Sequence, residues 1–67
     1  MRWFELEPGD LLSVAGEKDP EYVVMSNENS CVKLLHLADG VIFDYPGATG
    51  IVEAYGYRVT RDNAEVT

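Results

Sequence analysis

In Cys31–Tyr45, C-V-K-L-L-H-L-A-D-G-V-I-F-D-Y, two apolar runs flank the dipeptide Asp39-Gly40. No other stretch so narrows what this chain can fold into. Val32, Leu34, Leu35 and Leu37 precede the dipeptide, and Val41, Ile42, Phe43 and Tyr45 follow it. Asp-Gly tolerates φ > 0 at both central positions of a tight turn, so the segment is expected to be a β-hairpin. Leu34 and Leu35 are adjacent. That places apolar side chains on both faces of the first arm, as in a strand covered on both sides or one whose pairing contains a bulge.

Turn residues divide the rest of the chain. Pro8-Gly9-Asp10 introduces a strand over Asp10–Val14, with Leu12 and Val14 on one face and Leu11 and Ser13 on the other. Ala15–Glu21 is polar and punctuated by Gly16 and Pro20. Tyr22–Ser26 reads as a second strand, followed by a short turn at Asn27–Ser30. After Pro46–Gly50, Ile51–Thr60 reads as one long last strand, in which Gly56 marks a bend or a close backbone approach. Met1–Glu7 is too short to assign. Its Trp3, Phe4 and Leu6 are expected to cap one end of the core, with Glu5 and Glu7 outward.

Five short strands at roughly ten-residue spacing define an all-β chain, a small five-stranded antiparallel barrel with at most one short helical turn. Residues 1–67 form one domain, with 61–67 a frayed tail. Closing the sheet removes edges that would otherwise pair with other chains. The alternative is an open sheet that closes only by dimerising. A domain of this size buries only about 60% of its unfolded surface, and its single cysteine excludes an internal disulfide. Oligomerisation is the staple that remains.

Twelve acidic against five basic residues give a net charge of −7. That field repels phosphates, so nucleic acid is not the expected partner, whereas a basic protein is compatible. The start of the chain has no apolar signal core, and no run approaches the length of a membrane span. With one cysteine, these features fit a cytoplasmic protein.

Leu6–Val14, L-E-P-G-D-L-L-S-V, resembles the first strand of SH3-like small barrels, above all the KOW group. There a Gly-Asp pair opens a strand of alternating aliphatic residues and a glycine follows, here Gly16. Tyr22–Ser26 and Cys31–Leu37 resemble the next two strands, and Ala38-Asp39-Gly40 is similar to the distal hairpin. The resemblance covers residues 6–45 and implies an SH3-like barrel. It does not carry over RNA binding, because the basic residues of KOW domains are missing. The acidic loop with paired tyrosines and the tryptophan of peptide-binding SH3 domains are not recognisable either. In size and acidity the chain is also similar to bacteriophage accessory proteins.

No catalytic constellation emerges. His36 and Cys31 lie five residues apart and so on opposite faces of a regular strand, which prevents a Cys-His pair. The carboxylate pairs Glu5/Glu7 and Asp39/Asp44 fall at turns or strand ends, where both members stay solvated. There is no phosphate-binding loop and no metal-ligand spacing, so neither a cofactor nor a metal is expected.

The candidate binding residues are aromatic. Tyr55 and Tyr57 share a strand face, with Tyr45 and Tyr22 as tyrosines the fold can bring beside them, and Arg58 and Arg61 next to them to take a carboxylate or phosphate. Tyr45, Tyr55, Tyr57, Arg58 and Arg61 are the predicted site, unless the tyrosines simply complete the core. The function expected is a non-enzymatic acidic module that engages a protein partner, such as a phage-type inhibitor or adaptor of a host protein. The alternative is a homo-oligomer that holds a nucleotide-like signal through Tyr and Arg.

Overall fold

In a computed structural model, which describes residues 1–61, the chain is all-β. β1 (Leu11–Val14), β2 (Pro20–Glu28), β3 (Cys31–His36), β4 (Ile42–Pro46) and β5 (Tyr57–Thr60) form a single antiparallel sheet in the order β4-β3-β2-β1-β5. Two 3-10 turns accompany them, Trp3–Glu5 and Val52–Tyr55, where one short helical turn at most was expected. The predicted tail, apart from Arg61, lies outside the described residues.

The period-2 pattern finds its core. Leu12 of β1, Val24 of β2, and Val32 and Leu34 of β3 are buried along the inner face. Val24 stands directly opposite Leu34. Full burial of such side chains contributes about 1.5–3 kcal/mol each. The anticipated bulge belongs to β2 rather than β3. Pairing slips between Val24 and Ser26, which turns Met25 outward and returns Asn27 to register with Val32. Facing β4, β3 runs without a slip from Cys31 to Leu35.

Three local expectations are corrected. Asp39-Gly40 is not a two-residue turn. His36 and Val41 close a four-residue loop, His36 N donating to Val41 O at 2.8 Å, and only Gly40 has positive φ, 74°. The two-residue turn joins β2 to β3 instead. There Asn29 and Ser30 adopt φ of 52° and 60° between the paired Glu28 and Cys31. This is the geometry of a type I′ turn, carried without glycine. Third, Ile51–Thr60 is not one strand. Gly56, at φ 91°, sits in the left-handed conformation that ends the turn Val52–Tyr55, and β5 begins only after it.

The amino-terminal segment packs across one end of the sheet. Trp3 N donates to Gly50 O, and Val52 N donates to Met1 O at 2.8 Å. Asn27 Nδ2 donates to the carbonyls of both Trp3 and Leu6 at 3.0 Å. Trp3 and Leu6 are buried as expected, but Phe4 is 70% exposed. A 3-10 turn spaces successive side chains about a third of a turn apart, so seating Trp3 inward directs Phe4 out.

The sheet curls strongly. β4 and β5 are at its opposite edges, and each hydrogen-bonds to one neighbour only. In a flat sheet, strands four places apart would lie about 19 Å from each other. Here Tyr45 of β4 and Tyr57 of β5 approach the same indole, with ring centroids 5.1 and 6.5 Å from that of Trp3.

Candidate functional site

Between the two sheet edges lies an aromatic groove of about 320 Å³. Its floor is Trp3 and Tyr22, with Leu34 beneath, and its sides are Phe43, Asp44 and Tyr45 of β4 and Tyr55 and Tyr57 from the far edge. Alternation in β4 explains the near side. Phe43 and Tyr45 face inward, opposite Leu34 and Val32, while Asp44 faces outward opposite Lys33. The far side follows from Gly56, which halts the 3-10 turn so that Tyr55 stays on it and Tyr57 enters β5.

Trp3 is the hub. It meets Tyr45, Tyr55 and Tyr57 edge-to-face at interplanar angles of 81°, 85° and 79°. Tyr22 does the same further along, edge-on to Phe43 at 6.1 Å and to Tyr57 at 6.0 Å. Such pairs contribute about 0.5–1.5 kcal/mol each beyond their burial. The cluster is therefore part of the core and an open surface at once. Trp3 shows only a sliver of its indole to the groove, whereas Phe43 is 45% and Tyr55 53% exposed. Burial, then the neighbouring Tyr57 and Glu21, raises the pKa of Tyr22 above the ordinary phenol value and keeps it neutral. Trp3 Nε1 is buried and has no hydrogen-bond acceptor among the described residues.

Of the residues singled out from the sequence, Tyr45, Tyr55 and Tyr57 meet in this groove, and Arg58 and Arg61 do not line it. Arg58 Nη2 donates to the carbonyl of Glu17 at 3.0 Å, which ties β5 to the β1–β2 loop. Arg61 holds Asp10 in a two-pronged ion pair, Nε to Oδ1 and Nη2 to Oδ2, both 2.8 Å. Sequence reasoning missed Trp3 and Phe43. The inward register of Phe43 with Leu34 was available from alternation once the hairpin was granted. Nothing local placed Trp3.

A second hollow, about 420 Å³ and more polar, is lined by Glu17, Asp19, Glu21 and His36 among others. His36 Nδ1 lies 2.9 Å from Asp39 Oδ1 and Nε2 lies 3.5 Å from Glu21 Oε1. The Asp39 hydrogen bond, opposed by some desolvation, raises the His36 pKa above the ordinary imidazole value. Asp39 also accepts the Val41 amide, so this ring serves the hairpin loop. Cys31 is half-buried, at the other end of β3 from His36. Among the described residues no three His, Cys, Asp or Glu side chains are grouped to hold a metal ion, and no helix is long and apolar enough to cross a membrane.

No family model, curated protein or solved structure matches the chain.

Proposed function

We propose that this protein is a non-enzymatic binding module that engages a protein partner through the aromatic groove. The observation that carries this reading is the arrangement around Trp3. Three tyrosines from separate elements converge on one buried indole and leave an accessible, mostly apolar hollow. Tyr and Trp supply large, rigid contact area with little entropy to lose, which is why protein interfaces are rich in them. At about 320 Å³ the groove is at the low end of ligand pockets, and suits a few side chains of a peptide rather than a large cofactor.

The architecture we propose for the module is an SH3-like barrel left open along one seam. The strand order and the curl that brings β4 and β5 to a common tryptophan support it, as does the resemblance over residues 6–45. The net charge of −7 favours a basic partner and disfavours nucleic acid. A host protein met by a phage-type inhibitor or adaptor fits this chemistry. A nucleotide-like ligand is less well supported, because the cations it needs are engaged elsewhere, Arg58 on Glu17 and Arg61 on Asp10.

The test is to pan a random twelve-residue peptide library against the immobilised protein and against Tyr55→Ala and Phe43→Ala. Both residues are exposed, so these variants should fold. Peptides that bind the parent and lose at least tenfold in affinity to either variant support the reading. A library that yields no groove-dependent peptide contradicts it.

A further inference from the structure

The groove is bounded by two sheet edges, and the pairing pattern fixes which backbone groups those edges leave free. His36 N donates to Val41 O, and Gly47 N donates to Ser30 O. In an antiparallel ladder, hydrogen-bonded pairs alternate with non-bonded ones. With the register Leu34↔Phe43 and Val32↔Tyr45, the amides and carbonyls of Phe43 and Tyr45 are therefore turned to β3. Those of Ile42 and Asp44 point away from the sheet. On the other edge Ala15 N donates to Gly56 O, which by the same alternation leaves the backbone groups of Tyr57 and Val59 outward.

We infer that the partner enters as an extended strand that pairs with the free edge of β4 and lays alternate apolar side chains on the Trp3–Tyr22 floor. This rests on the groove being the binding site. Strand addition combines main-chain hydrogen bonds for affinity with pockets at every second residue for specificity, and both halves are present. Ile42 and Asp44 each offer one donor and one acceptor, and the inner face beside them is aromatic. Ile42, Phe43 and Asp44 are all exposed, so nothing among the described residues covers this edge. Natural edges of this kind are often blunted by charges, proline or a bulge; β4 has no bulge, and its one charge is the acidic Asp44, which attracts a basic strand and repels an acidic one. The proline of β4, Pro46, stands at the far end. A strand donated by a second copy would bring two bodies of charge −7 together, whereas a basic segment from another protein is attracted. The occupant is accordingly an extended basic segment of a partner, apolar at alternate positions.

The experiment uses the peptides selected above, synthesised and titrated into the full chain while the emission of its single tryptophan is followed. Asp44→Pro removes an outward amide, together with the carboxylate, from an edge strand, a place where proline is tolerated. With Asp44→Ala as the reference, which loses the same carboxylate but keeps the amide, strand addition gives Asp44→Pro at least tenfold weaker binding than Asp44→Ala. It also expects backbone N-methylation of the peptide to abolish binding at every second residue. Groove-dependent peptides that bind Asp44→Pro as tightly as Asp44→Ala, or tolerate N-methylation without period two, overturn strand addition and leave the groove as the binding site. Selection of no groove-dependent peptide overturns both. A dimer by light scattering that Asp44→Pro dissolves assigns the edge to a second copy and overturns the partner strand.

Discussion

Arg61 grips Asp10 through both carboxylate oxygens, and Asp10 is only 1% exposed. The pair ties the end of the described chain to the residue that opens β1. The Glu7 amide adds a third donor at 2.8 Å. Fixing Asp10 fixes where β1 starts, and with it the partner that β5 needs to form the far side of the groove.

Asp10→Ala should lower stability by about 1–3 kcal/mol, the scale for losing charge-assisted hydrogen bonds and leaving the Glu7 amide without its acceptor, since Arg61 itself stays partly solvated. The Arg61 hydrogen bond, opposed by burial and aided by the Glu7 amide, holds the Asp10 carboxyl below its ordinary range. Its contribution is therefore present above the unfolded aspartate pKa of about 3.9 and is lost as pH falls through the lower folded-state value. Urea denaturation from pH 7 downward should show the two proteins converging below about pH 4. A gap that stays constant with pH would contradict the pairing.

His36 should titrate above the ordinary imidazole value, and in Asp39→Asn it should move back toward it. The stability this ring contributes is present below its unfolded pKa of about 6.5 and is lost as pH rises through the raised folded-state value. Imidazole proton shifts followed through a pH series measure this. An unchanged midpoint in the variant would show that Asp39 is not the cause.

Ser30→Gly should stabilise the fold by about 1 kcal/mol. Ser30 holds φ 60°, a conformation that costs a non-glycine residue roughly that much, and the change creates the Asn-Gly pair preferred in type I′ turns. Thermal unfolding should shift up by about 4–8 °C for a domain of this size. A lower melting temperature would mean the turn has another geometry.

Asn27→Ala should cost about 2 kcal/mol by orphaning the Trp3 and Leu6 carbonyls that its side chain satisfies. Loosening that segment should also move tryptophan emission to the red. Unchanged emission and stability would mean the segment is held by its contacts with Gly50 and Val52 alone.

The first four strands and most of the core were legible in the sequence, because Leu12, Val24, Val32 and Leu34 obey a two-residue period that burial enforces. The turns were read less well. Asp39-Gly40 carries the stronger local signal, yet the register of β3 with β4 stretches that connection to four residues. Asn29-Ser30, with weaker propensity, is forced into the tight turn by the pairing of Glu28 with Cys31. Tertiary pairing overrode local preference at both. The tyrosines of the groove were recognisable as a group, but their convergence was not. It depends on Trp3, which is 42 residues from Tyr45 and reaches it only through the curl of the whole sheet. Arg58 and Arg61 looked free in sequence because their acceptors, the Glu17 carbonyl and Asp10, lie 41 and 51 residues away.

Amide hydrogen exchange of the free protein separates a β4 edge left open for a partner beside the aromatic groove from one that is already paired. An open edge gives exchange near the rate of an unstructured peptide at Ile42 and Asp44, with Phe43 and Tyr45 protected by β3. Protection at all four amides would mean that the edge is already paired, and would contradict an open binding groove.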